Sequence, residues 1–259
     1  MITSHRTNLQ RLAALTLTVA CAAFSSTPAF AGWWTGEPVA GSGNIVKQER
    51  SLSSFKSIDA DLPAKIELRQ GDVEAATVET DDNLQSLVET VVERGTLKIR
   101  SSKRNTYPDT KTLRIVVFLK TLEEIDLGGS GSVTSTKLNV PSLEISIGGA
   151  TDMDLQHLQA NDLKVSIGGS GKFIASGTAA KVSGRIGGSG RLLFDKLESR
   201  DVAISIGGSG TVQTWVKEHL SVSIGGSGTV SYYGDPTVSQ SIGGSGTVRR
   251  LGAAPAPAP

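Results

Sequence analysis

The stretch Val202-Ala203-Ile204-Ser205-Ile206-Gly207-Gly208-Ser209-Gly210-Thr211-Val212 decides the fold. Its first five residues alternate large apolar with small side chains, the period-two signature of a strand with one face inward. Two glycines interrupt it, and Val212 restores the inward position five residues after the first of them. The same unit recurs at Leu127-Gly128-Gly129-Ser130-Gly131, Ile147-Gly148-Gly149-Ala150, Ile167-Gly168-Gly169-Ser170-Gly171, Ile186-Gly187-Gly188-Ser189-Gly190, Ile224-Gly225-Gly226-Ser227-Gly228 and Ile242-Gly243-Gly244-Ser245-Gly246. The seven first glycines are spaced by 20, 20, 19, 20, 18 and 18 residues. That period is too short for a helical hairpin repeat and lacks the Leu and Asn signature of leucine-rich repeats, but it suits one coil of a β-solenoid.

The flanks agree. Leu143, Ile145 and Ile147, then Leu163, Val165 and Ile167, then Leu220, Val222 and Ile224 repeat the inward row, with Ser146, Ser166, Ser205 and Ser223 on the outward one. Five positions after each first glycine stand Val133, Met153, Phe173, Leu192, Val212, Val230 and Val248; two further on, Leu155, Phe194 and Tyr232 can fill the next side. The fold class is therefore all-β: a parallel β-helix with coils of 18 to 20 residues, two strands and a looser third side. Stacked at ~4.8 Å, seven such coils make a prism on the order of 30 Å long. The paired glycines are expected to take positive φ at the corner and to let coils stack without a Cβ collision.

Composition fits this reading. Of 259 residues, 30 are Gly and 5% aromatic, which disfavours a conventional core of large side chains. Lys plus Arg is 26 against 25 for Asp plus Glu, so there is no electrostatic footprint for nucleic acid. A single Cys excludes an internal disulfide and a Cys-rich metal site.

Residues 1–31 read as a signal peptide: Arg6 and Arg11, an apolar run from Leu12 to Phe24, and the cleavage pattern Ala29-Phe30-Ala31 before Gly32. The run is short of the ~20 residues that span a bilayer. Lipidation at Cys21 is the weaker alternative, because Thr18 stands where a lipobox has an aliphatic residue. Cleavage leaves 24 basic against 25 acidic residues and no transmembrane segment, so a periplasmic, cell-surface or secreted protein is expected. Residues 32–44 are expected as a flexible lead, 45–120 as irregular first coils, 121–250 as the seven repeats, and 251–259, rich in Ala and Pro, as a disordered tail.

Within 45–120, Ala64 to Arg69 alternates cleanly and Gly71-Asp72 reads as a turn. Residues 83–94 admit two readings: a strand of a hairpin turning at Gly95, or a helix capped by Asp82, since Leu84, Leu87, Val88 and Val91 have helical spacing. The succession Gly41-Ser42-Gly43-Asn44, Phe55-Lys56-Ser57-Ile58, Ile66 to Asp72, Asp81-Asp82-Asn83-Leu84, Gly95-Thr96-Leu97-Lys98-Ile99 and the Ile-Gly-Gly-Ser-Gly repeats resembles the head GIN domain family of autotransporter adhesins over roughly 41–250. The resemblance implies a right-handed, single-stranded β-helix and favours the hairpin. Self-export is not expected, because an Ala-Pro tail stands where an autotransporter carries its membrane barrel.

Catalytic chemistry finds little support. Gly-Gly-Ser-Gly lacks the Lys-Ser/Thr of a P-loop, and apolar residues stand where calcium-binding nonapeptide repeats need Asp; Asp152 and Asp154 read as a solvated outward pair. His157 and His219 fall nine and twelve positions after their first glycines and form no row, which leaves a polysaccharide-active enzyme the least supported reading. No catalytic residue, metal or cofactor is expected. Trp215 and Tyr233 share an offset of eight, so they should stack on adjacent coils beside Tyr232, either gripping a ligand or covering a loose corner. The sequence thus points to an exported, non-enzymatic solenoid binding a glycan or an envelope protein. The alternative is a structural envelope protein associating end to end through its last coil.

Overall fold

The computed structural model describes residues 36–255. The signal peptide with Cys21, residues 32–35 of the lead and the last four residues of the tail lie outside the described residues. Seventeen strands form one continuous sheet that winds into a right-handed solenoid, and two more pair beside it. Among the described residues no helix is long and apolar enough to cross a membrane.

One coil explains the rest. The strand Arg191–Ile206 runs through two bends. Leu192 and Phe194 are buried on the first side, Leu197 and Ser199 on the second, and Val202, Ile204 and Ile206 on the third. Inward parity slips by one residue at Asp195-Lys196 and at Arg200-Asp201, and each slip is a corner. The looser third side is therefore a full wall. Successive coils pair in parallel, so Ile186, Ile206, Ile224 and Ile242 stack in one column, while Phe173, Leu192, Val212, Val230 and Val248 stack in another. Each column buries apolar area along the axis at every rung, and each coil is held only by its neighbours.

The paired glycines act through close approach, and the expected positive φ is not found at any pair. A Cβ on the second glycine would lie 2.0 to 2.3 Å from the carbonyl oxygen of the corresponding glycine one coil earlier at Gly149, Gly169, Gly188, Gly208, Gly226 and Gly244. The corner turns with ordinary backbone angles; what excludes a side chain is the neighbouring coil.

Residues 45–120 do not form successive coils. The coil of Ser57–Ala60 and Lys65–Gln70 lies between Glu124–Leu127 with Ser130–Ser135 on one side and Thr96–Ser101 with Arg114–Leu119 on the other. Stacking order and chain order are thus exchanged. Antiparallel strands then cover that end: Ala75–Asp81 against Arg114–Leu119, Ile45–Ser51 against Ala75–Asp81, and Val88–Glu93 against Thr96–Ser101. The hairpin reading of 83–94 holds. A short 3-10 turn at Asp82–Leu84 precedes the strand Val88–Glu93, and Arg94 and Gly95, with φ of 51° and 80°, make the two-residue turn.

The expected flexible lead is ordered from its fifth residue. Glu37–Ala40 pairs in parallel with Thr106–Asp109. The next four residues clasp Asp81-Asp82-Asn83: Gly43 N donates to Asp81 Oδ1 at 2.6 Å, Asn44 Nδ2 to Asp82 Oδ2 at 2.9 Å, and Ser42 N to Asn83 Oδ1 at 3.0 Å. Thr110 Oγ1 donates to the other Asp81 oxygen at 2.5 Å. Gly41 is required here, because its Cβ would stand 2.4 Å from the Asp81 carboxylate. At the far end the strand Thr247–Gly252 takes up the first two residues expected in the tail.

Hydrogen bonds from Thr110 and Gly43 hold the Asp81 carboxyl below its ordinary value of 3.8, and those from Ser42 and Asn44 do the same for Asp82. A depressed folded pKa means the clasp contributes in full above 3.8 and weakens as pH falls through the lower folded values. Asp81→Ala should free residues 36–44, seen as rapid proteolysis within that segment while the repeats stay protected. A cleavage pattern identical to the native one would show that the clasp holds nothing.

Candidate functional site

The outward aromatics come from adjacent rungs. Trp215 lies on the strand Thr211–Ile224 and Tyr233 on Thr229–Tyr233, directly in register. Both are partly exposed. Tyr232 does not join them: it sits opposite the fully buried Thr214, at inward parity, and packs on the core. The column continues from Glu198 through Trp215 and Tyr233 to Gly252, which places no side chain against the Tyr233 ring. Lys217 Nζ lies 5.6 Å from the Trp215 ring centroid and 3.8 Å from Glu198 Oε1. The result is a two-ring platform with a cation and a carboxylate at its rim.

Trp215 meets Glu198, and not Asp195, because its coil is shorter: the register jumps between Phe194 and Glu198, removing residues from the second side. The same shortening creates a cluster that forward counting misses. Measured back from the following glycine pair, Asp162, Lys181, Asp201, His219 and Thr237 share one offset, and they stack in that order. Asp201, Glu218 and His219 come together there, with one ligand-type atom of each within 4.8 Å of the others. His219 Nδ1 donates to Asp201 Oδ1 at 2.8 Å, and Arg200 Nε to Oδ2 at 2.9 Å. These two bonds hold the Asp201 carboxyl below its ordinary value. Each Asp201 oxygen thus already accepts one hydrogen bond. His219 has the acidic partner of a catalytic dyad, but among the described residues no hydroxyl or thiol hydrogen-bonds its ring.

The remaining candidates stay apart. His157, at a bulge with φ of 47°, bonds the Thr136 carbonyl at 3.0 Å. Asp152 pairs with Lys172 at 3.4 Å on the outward face.

A protein-family profile described as "Putative auto-transporter adhesin, head GIN domain" matches residues 54–236. Among solved structures, a putative adhesin from Bacteroides fragilis is 25% identical with a TM-score of 0.78, covering 82% of this chain and 100% of that one. A putative lipid binding protein from Parabacteroides distasonis is 27% identical, TM-score 0.72, covering 83% and 100%. A putative adhesin from Parabacteroides merdae, 20% identical with a TM-score of 0.65, shares the fold. No curated protein matches the chain. The profile spans about seven-tenths of the sequence and takes in both the exchanged coils and most of the repeats, so the chain belongs to the head GIN domain family of auto-transporter adhesins.

Proposed function

We propose that this protein is an exported, non-enzymatic solenoid whose rigid wall binds a glycan through the Trp215 and Tyr233 rings. The observation that carries the reading is their direct pairing on adjacent rungs, with Gly252 leaving the edge open. Sugar rings present an apolar face that stacks on aromatic side chains, and Lys217 and Glu198 supply a donor and an acceptor for hydroxyls. Export is supported by the leader at 1–31 and by membership of an adhesin family. A binder is favoured over a catalyst because the one dyad-like pair, Asp201 and His219, lacks a bonded nucleophile among the described residues.

The test is a glycan array probed with the native chain and with Trp215→Ala. Retention by the native chain and at least a tenfold loss in the variant, at unchanged melting temperature, is expected. Equal retention by both would refute the assignment. A second reading, end-to-end association, is favoured by the terminal coil, where Ile242 and Leu251 are 39% and 38% exposed on an unpaired edge. Sedimentation that stays monomeric across a hundredfold concentration range would remove it.

A further inference from the structure

At the covered end of the stack, five rungs or ~24 Å from Trp215, two adjoining depressions of about 460 and 210 Å³ open on the outward face of the sheet and share Glu79 and Arg114. Their walls carry five cations, Lys47, Lys65, Arg69, Lys111 and Arg114, against two carboxylates, Glu67 and Glu79. A local excess of three positive charges contrasts with a mature chain close to neutrality. Arg69 and Arg114 each bond Glu67 at 2.6 Å, and Lys47 reaches Glu79 at 3.6 Å. Lys65 and Lys111 have no carboxylate partner among the described residues.

Lys65 is also misplaced by the rules of sheet pairing. It stands directly opposite Arg114 on one neighbouring strand and Ser132 on the other. Like charges in that relation destabilise a sheet; Glu67 already offsets the charge of Arg114, and an anion beside Lys65 would offset the other. Ser132 and Thr134 offer hydroxyls along one wall, Glu79 offers acceptor oxygens, and the partly buried Phe118, with Arg69 5.8 Å from its ring centroid, gives the second depression an apolar floor. Cations for a charged group, mixed donors and acceptors for hydroxyls, and an aromatic surface are the requirements of a charged sugar.

We infer that this cleft binds an acidic saccharide, with Lys65, Lys111 and Arg114 around its sulfate or carboxylate group. The inference stands apart from the Trp215 platform and goes beyond it. Calorimetric titration of the mature chain with a dextran sulfate octasaccharide, its unsulfated counterpart and inorganic sulfate tests it. The sulfated sugar should bind, and the other two should bind at least tenfold more weakly. Lys65→Ala/Lys111→Ala should lose at least tenfold in affinity. Lys137→Ala/Lys181→Ala, which removes the same charge elsewhere, should bind as the native chain does. The inference is overturned by absence of binding, by equal binding of the neutral sugar, by inorganic sulfate binding as tightly, or by equal losses in the two double variants.

Discussion

Gly208→Ala is expected to destabilise the protein by about 3–5 kcal/mol, the range of severe single substitutions, whereas Gly207→Ala should change stability by about 0.5 kcal/mol or less. The two glycines are adjacent and look alike in the sequence. A Cβ on Gly207 meets nothing closer than 3.9 Å, an ordinary contact, but on Gly208 it would stand 2.1 Å from the Gly188 carbonyl oxygen and 2.6 Å from that of Gly187. Neither obstacle is a side chain that can rotate away. The corner is also clamped from both faces, because Ser209 N donates to Gly188 O and Ser227 N donates to Gly208 O, each at 3.0 Å. Relief therefore requires parting two coils, with loss of the hydrogen bonds that join them. Thermal melts of the two variants check this: Gly208→Ala should lower the midpoint by roughly 10 °C or more. Equal midpoints would show that the corners are not packed as described.

The second large effect concerns the pair of aromatic rings stacked in the interior. Phe194→Ala should cost about 3–5 kcal/mol through lost transfer energy and an unfilled cavity. Phe194 is fully buried and meets Phe173 edge-on, with ring centroids 5.6 Å apart at 74°. The neighbouring wall is adapted to this bulk. Gly184 occupies an inward position where adjacent coils carry Val165 and Ile204, and a Cβ there would stand 2.7 Å from Leu192 Cδ1 and 2.9 Å from Ile204 Cδ1. The large and small residues form one packing unit, so the space left by the ring cannot be refilled by rotamer changes alone. Urea denaturation should show a lower midpoint with the slope unchanged. A loss below about 1 kcal/mol would indicate that the stack collapses to close the gap.

Most of the solenoid was legible from residue order. The inward rows ending in Ile147, Ile167, Ile206 and Ile224 are all buried, as their alternation implies. The pairing of Trp215 with Tyr233 followed from their common distance to a glycine pair. Counting in the same direction failed for Asp201 and His219. The coil between them is two residues shorter, and the shortening falls on the second side, so residues before it align by forward counting and residues after it only by backward counting. Tyr232 shared a neighbourhood with Tyr233 but not a face, which alternation along a strand already requires. The function of the glycine pairs was half legible: their place at the corner was evident, while the reason for them lies in a carbonyl one coil away.

The covered end was not legible as topology. Ala64 to Arg69 reads as a strand, yet nothing local says that it is sandwiched between Arg114–Leu119 and Ser130–Ser135. Similarly, Gly41 to Asn44 and Asp81 to Asn83 are short polar strings about forty residues apart, and only their meeting makes a clasp. The sequence alone determined the coil, its inward rows and its corners, because these depend on side-chain parity and backbone sterics within a few residues. Tertiary structure alone decided the order of the first coils and which outward residues become neighbours. Register between coils shifts with every insertion or deletion along the chain, and an exposed sheet edge is covered by whatever segment can reach and pair with it.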